Sequence, residues 1–166
     1  MGKKPQPGSE EALREYALKL LSLRARSRAE LRERCLGKGY ETKLVDALLD
    51  RFNSAGLLDD REFARALARY HRHLRPLGRF GLASALAAKG LDKALISEIV
   101  AESLPFEEEL AAAREIAQKQ LNRSGDERSK WQKLVNLLRR RGFSYQIIER
   151  LRAELAKSNT SDAEMD

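Results

Sequence analysis

The sequence predicts an all-α protein, an elongated tandem array of three three-helix repeats. The first observation behind this is a pattern that occurs three times. Gly39, Gly90 and Gly142 lie 51 and 52 residues apart. Aligning them brings Leu31, Leu82 and Leu134 together eight residues upstream, and Cys35, Leu86 and Leu138 four residues upstream. A base (Lys38, Lys89, Arg141) precedes each glycine and a large apolar residue (Tyr40, Leu91, Phe143) follows it. Self-similarity at a fixed period is the mark of a repeat architecture. The second observation is that no stretch alternates as a half-buried strand would, whereas apolar residues recur at helical spacing. The third is that the connections are short, so each unit contacts mainly its neighbours, as in a solenoid.

Taken in order, residues 1–9 hold two prolines, two glycines and two lysines, and read as a disordered basic arm. Repeat 1 spans 10–56. Its first helix runs from about Glu10 to Leu23, with Leu13, Ala17, Leu20 and Leu21 on one face. Ser27 and Glu30 have the spacing of a capping box, which starts a second helix near Arg28. Gly39 ends it, and a third helix turns Leu44, Val45, Leu48 and Leu49 inward. Repeat 2 spans 57–104 and opens with Asp59 and Glu62 at a helix start. Phe63, Leu67, Tyr70 and Leu74 then form one apolar stripe, and Arg61, Arg65, Arg69 and Arg72 form a basic stripe opposite. Pro76 and Gly78 end that helix. A short helix follows to Lys89, then a third from Asp92 to about Ser103. Repeat 3 spans 105–156, with Pro105 suited to a helix start and Glu107, Glu108 and Glu109 in the first turn. Residues 122–129 read as the longest internal loop, and Ser144 is placed to cap the last helix. Residues 157–166 read as a disordered acidic tail.

Composition narrows the function. The chain has 166 residues, a formal net charge of +7 and a pI near 9.7, which points to an anionic partner. The excess is spread: Lys/Arg against Asp/Glu number 10 and 8 over 10–56, 8 and 6 over 57–104, and 11 and 8 over 105–154. One cysteine allows no internal disulfide and fits a reducing, cytoplasmic setting. No apolar run approaches the ~20 residues of a membrane span. A monomer is expected, since no long apolar seam is left over.

Catalytic chemistry finds little to work with. His71 and His73, two apart on a helix, point to different sides, and no clustered carboxylate–imidazole set offers a metal site. Asp59 and Asp60 sit where a helix needs caps. Cys35 occupies a repeat position taken elsewhere by Leu86 and Leu138, and so reads as a buried small hydrophobe. Trp131 reads as core edge ahead of a base-stacking platform. The basic positions are more informative. No acid interrupts residues 63–91, and Arg139, Arg140 and Arg141 crowd the third turn, two of them facing solvent. Such arginines suit phosphates or the carboxylates of a protein partner, and the sequence alone leaves both open.

Several motifs follow one another in order: Ser27-x-x-Glu30-Leu31, Lys38-Gly39-Tyr40, Gly56-Leu57-Leu58-Asp59-Asp60-x-x-Phe63-Ala64, Gly78-x-x-Gly81-Leu82, Lys89-Gly90-Leu91 and Arg140-Arg141-Gly142-Phe143-Ser144-Tyr145. Over about residues 12–152 the set closely resembles the RecX family, bacterial regulators of the RecA recombinase. The resemblance implies an all-helical array with no enzymatic activity of its own, and the residues lead us to expect no cofactor or metal. It also implies binding to RecA and to RecA filaments on single-stranded DNA, restraining filament growth, ATP hydrolysis, strand exchange and coprotease action. It carries over no catalytic residues. Charge and exposure select the candidate filament-binding set: Arg61, Arg65, Arg69, Arg72, Arg75, Arg79, Lys89, Arg139, Arg140 and Arg141. Leu31, Gly39, Asp59, Phe63, Leu82, Gly90, Leu134, Gly142 and Phe143 read as structural. The competing readings are a RecA-independent, nonspecific DNA-binding helical module and, with no constellation to support it, an enzyme.

Overall fold

The computed structural model describes residues 9–122 and 126–163, with side chains through 156. The arm over 1–8, residues 123–125 and the last three residues lie outside that description. Among the described residues the chain forms nine α-helices and no strand: α1 (Glu10–Leu23), α2 (Arg28–Gly37), α3 (Thr42–Ser54), α4 (Asp60–Leu74), α5 (Arg79–Ala87), α6 (Lys93–Ser103), α7 (Phe106–Leu121), α8 (Glu127–Arg140) and α9 (Tyr145–Ala163).

The starts are set by side-chain oxygens that accept the unpaired N–H groups of the first turn. Ser9 accepts from Ala12 N, so it belongs to α1 rather than to the arm. Ser27 and Glu30 form the full capping box. Asp59 accepts from Arg61 N and Glu62 N, Asp92 from Ala94 N and Leu95 N, and Ser144 Oγ from Ile147 N at 3.3 Å. Asp126 accepts from Ser129 N. That cap starts α8 inside the stretch 122–129 expected as loop.

Helices this short are marginal alone, and they are held by three separate apolar clusters. Leu13, Ala17, Leu31, Cys35, Val45, Leu48, Leu49 and Phe52 join α1–α3. Ala64, Ala68, Leu82, Leu86, Ile96 and Ile99 join α4–α6. Leu110, Ala113, Ile116, Leu134, Leu138, Ile147, Ile148 and Leu151 join α7–α9, with Phe143 completing them. Each fully buried leucine contributes on the order of 2 kcal/mol. Cys35 is fully buried, and burial pushes its thiol pKa up, so it is an inert core group. Trp131 packs against the third cluster.

Two further expectations are corrected. The core face of α4 is Ala64 and Ala68, with Phe63 and Leu67 half-buried beside them; Tyr70 and Leu74 run out to 52 % and 72 % exposure. The four-three-four spacing is helical, but α5 and α6 cover only the first two turns of that stripe. In addition, α9 continues to Ala163, so residues 157–163 extend the helix and are not part of a frayed tail.

Successive units meet through one repeated joint. The glycine turn of each unit docks on the N-terminus of the preceding unit's second helix. At the first joint, Ser27 Oγ donates to the Lys89 carbonyl at 2.5 Å, and Arg28 N donates to Asp60 Oδ1 at 2.7 Å. At the second, Gly78 N donates to the Arg141 carbonyl at 3.0 Å, Phe80 N to the Gly142 carbonyl at 3.1 Å, and Arg79 N to Glu109 Oε1 at 3.0 Å. Lys89 and Arg141 are equivalent in the repeat, as are Arg28 and Arg79. A carboxylate from the following unit's first helix, Asp60 or Glu109, thus takes the same backbone N–H at both joints. Gly142 has φ +75°, and a Cβ there would overlap the backbone of Gly81. Gly90 has φ +73°, and its Cβ would overlap that of Ala29. The equivalent turn at Gly39 has φ +96°, and a Cβ there would face open space.

Candidate partner interface

The expected basic residues fall into three groups. The first is the α4 stripe, which is not a bare cationic face. Arg61 pairs with Glu98 and Arg72 with Glu108. Arg65 makes a two-pronged contact with Glu102 at 3.0 and 3.1 Å, and Arg69 meets Glu62 at 2.7 Å. Glu98 and Glu102 lie one turn apart on α6, matching the one-turn step from Arg61 to Arg65, so the pairs form a ladder between α4 and α6. Hydrogen bonding to Arg61 lowers the Glu98 carboxyl, and the carboxylates raise the guanidinium groups of Arg61 and Arg65. The run 63–91 is free of acids in sequence, yet the fold brings α6 and α7 carboxylates back onto it.

The second group is Lys89, built into the first joint. Its ammonium donates to Glu30 Oε1 at 3.0 Å, and Arg24 holds the same carboxylate from the other side at 3.0 and 3.1 Å. Burial opposes ionisation of Glu30. Hydrogen bonds from Arg24, Lys89 and the Ser27 backbone outweigh it and hold the carboxyl at about 2.

The third group converges on the second joint. The bonds from Gly78 and Phe80 to Arg141 and Gly142 set the N-terminus of α5 beside the basic turn. The Arg79 backbone therefore lies beside the Arg141–Gly142 turn, which follows Arg139 and Arg140 at the end of α8. Arg139 and Arg140 are exposed and Arg141 is half-buried. None of the three has an ion-pair partner among the described residues, nor does exposed Arg75. Behind them is Glu109, only 1 % exposed. One of its oxygens accepts from Arg79 N and, at 3.4 Å, from Ser144 N; the other lies 3.7 Å from Arg79 Nε. A buried carboxylate without such donors would be costly, so Glu109 fixes the geometry of the joint. On the outer side of α7 and α8 a groove of about 440 Å³ is lined by Gln120, Lys133, Asn136, Leu137 and Arg140. Its polar lining extends the cationic surface.

Sequence reasoning placed Glu109 at a helix start and Asp60 at a cap, and missed both as joint residues. The signal was faint. Asp60 lies 30 residues before Gly90, and Glu109 lies 33 before Gly142, so alignment on the glycines sets them about one helical turn out of register. Gly81 and Gly78 stand in the α5 start as a pair, and that pair was the available clue to a close backbone approach. Among the described residues no group of histidine, cysteine and carboxylate side chains could hold a metal ion, and no helix is long and apolar enough to cross a membrane.

Three helical units coupled by repeated polar joints define an all-helical tandem-repeat protein, in which Arg139, Arg140 and Arg141 have no ion-pair partner among the described residues. Three family models match in series, each described as a three-helix domain of RecX: the first over 14–52, the second over 59–99 and the third over 107–151. The chain belongs to the RecX family. It is 34 % identical over 155 residues to the regulatory protein RecX of Mycobacterium avium (strain 104), covering 91 % of this chain and 89 % of that one. It is 32 % identical over 136 residues to the regulatory protein RecX of Pelodictyon phaeoclathratiforme, covering 81 % and 82 %. The crystal structure of RecX from Lactobacillus salivarius superposes with a TM-score of 0.80 at 21 % identity, over 89 % of this chain and 96 % of that one. That last likeness concerns the fold.

Proposed function

We propose that this RecX-family protein regulates RecA. It binds RecA and its filament on single-stranded DNA, and it restrains ATP hydrolysis, strand exchange and coprotease action in the cytoplasm without chemistry of its own. The observation that supports this most is the second joint. There a hydrogen-bonded contact between units sets the start of α5, which carries Arg79, against the turn that ends the Arg139–Arg140–Arg141 run. Rigid presentation reduces the ordering cost of binding, and guanidinium groups suit both phosphate and carboxylate. An array of three coupled units also suits a target whose own subunits repeat. The α4 ladder contributes less, because its arginines already face carboxylates.

A RecA-independent DNA binder is the second reading. It is favoured by the polar groove at Lys133 and Arg140, since backbone-phosphate contacts need only such cations. Titrating the protein into RecA turning over ATP on single-stranded DNA separates the two. The proposal expects inhibition at a small fraction of the RecA concentration, below what would coat the DNA. Absent inhibition, together with DNA binding that collapses with salt, would transfer the function to the second reading.

A further inference from the structure

Unit 2 carries a groove that its own fold does not fill. It has a volume of about 600 Å³ and runs between α5 and α6, over Ala83, Ala87, Ile96 and Ala101, with Phe80 at one end. Phe80 is 62 % exposed. Its backbone is pinned through its N–H to the Gly142 carbonyl at 3.1 Å, so the ring is presented on a fixed stem. Arg79 and Lys93 are the charged residues of the groove, and no carboxylate lines it.

Comparison of the repeats shows what is missing. In unit 1 the same groove is closed by two ion pairs between α2 and α3. Arg28 meets Asp50 at 2.7 Å, and Arg32 meets Asp46 at 2.7 and 3.2 Å. Shifting by the 51-residue period places Arg79, Ala83, Ser97 and Ala101 at the positions of Arg28, Arg32, Asp46 and Asp50. Unit 2 keeps the first arginine and loses the other three bridging groups. In unit 3, Trp131 and Val135 take the positions of Arg79 and Ala83 and pack with that unit's core.

We infer that the α5–α6 groove of unit 2 receives an amphipathic helix of a protein partner, with large apolar side chains along one face and carboxylates beside them. The occupant follows from the lining. The small floor residues admit a helix closely, and an anchored aromatic supplies a hot spot. Lys93, which has no ion-pair partner among the described residues, and Arg79, whose guanidinium meets Glu109 only at 3.7 Å, select carboxylates. The α6 wall is 11 residues long, or about 16 Å at 1.5 Å per residue, which accommodates about three turns laid into a groove. The inference rests on the reading of this chain as a RecA regulator, which makes the RecA filament the source of that helix.

The test uses the full-length protein and RecA filaments on single-stranded DNA, with co-sedimentation as readout. One variant, Ala83→Arg with Ser97→Asp and Ala101→Asp, transplants the unit 1 ion pairs and closes the groove. A second, Phe80→Ser, removes an exposed ring and leaves the charge unaltered. Both should retain wild-type helical circular dichroism, and each should lose filament affinity by about tenfold or more, the scale set by removing a buried anchor. Affinity of Phe80→Ser for naked single-stranded DNA should be unchanged. Undiminished filament binding by both variants would overturn the groove while leaving regulation of RecA in place. An equal loss of naked-DNA binding by Phe80→Ser would assign the groove to nucleic acid and overturn it as well. If the wild-type protein itself ignores filaments, the functional reading falls and takes the filament helix with it.

Discussion

Gly39 and Gly142 hold the same left-handed turn, at φ +96° and +75°, but only Gly142 is enclosed. The difference separates the cost of backbone conformation from the cost of the joint. An alanine at either site meets a left-handed penalty of about 1–2 kcal/mol. At Gly142 the added Cβ also overlaps the Gly81 backbone, so the joint must open. Gly142→Ala should therefore lower the urea midpoint well beyond Gly39→Ala. Equal losses would mean that the joint contributes nothing to stability. At this scale the local chemistry was legible in advance. The capping box at Ser27, the caps at Asp59 and Ser144, and the burial of Cys35 all follow from residue type and near-neighbour spacing. Glu109 was not legible, because the N–H groups it accepts belong to residues 30 and 35 positions away.

Among the elements, helix existence and order were readable from periodicity, while pairing between helices was not. The arginine stripe of α4 illustrates this. Its spacing put four cations on one face, and the carboxylates that meet Arg61, Arg65 and Arg72 come from α6 and α7, 36 or 37 residues downstream. Charge reversal in this stripe would consequently create like-charge contacts and confound any binding assay. The first joint offers a cleaner measurement. Glu30 has a folded-state carboxyl of about 2 against its ordinary 4.5. A depressed acid stabilises the fold above its unfolded value and loses that contribution as pH falls through the folded one. Urea midpoints measured from pH 5 down to about pH 2 should thus fall more steeply for the wild type than for Glu30→Gln. Parallel curves would show that the Arg24–Glu30–Lys89 cluster does not couple to folding.

For the whole molecule, the three-unit array was legible because each glycine turn repeats with its flanking base and apolar residue. The way the units dock was not, since docking depends on backbone atoms at Gly78, Gly81 and Phe80 that carry no side-chain signature. That docking sets the start of α5 against the turn that ends the unpaired Arg139–Arg140–Arg141 run, whereas Arg61, Arg65, Arg69 and Arg72 are paired with carboxylates. On the proposed function, the partner surface is the junction of units 2 and 3. Hydrogen–deuterium exchange of the protein, free and bound to RecA filaments on single-stranded DNA, tests this most directly. The account predicts that binding slows exchange over the turn at 139–144 and over α5, and leaves the Gly39 turn as fast as in the free protein. Protection confined to unit 1, or absent from the junction while the protein is filament-bound, would contradict it.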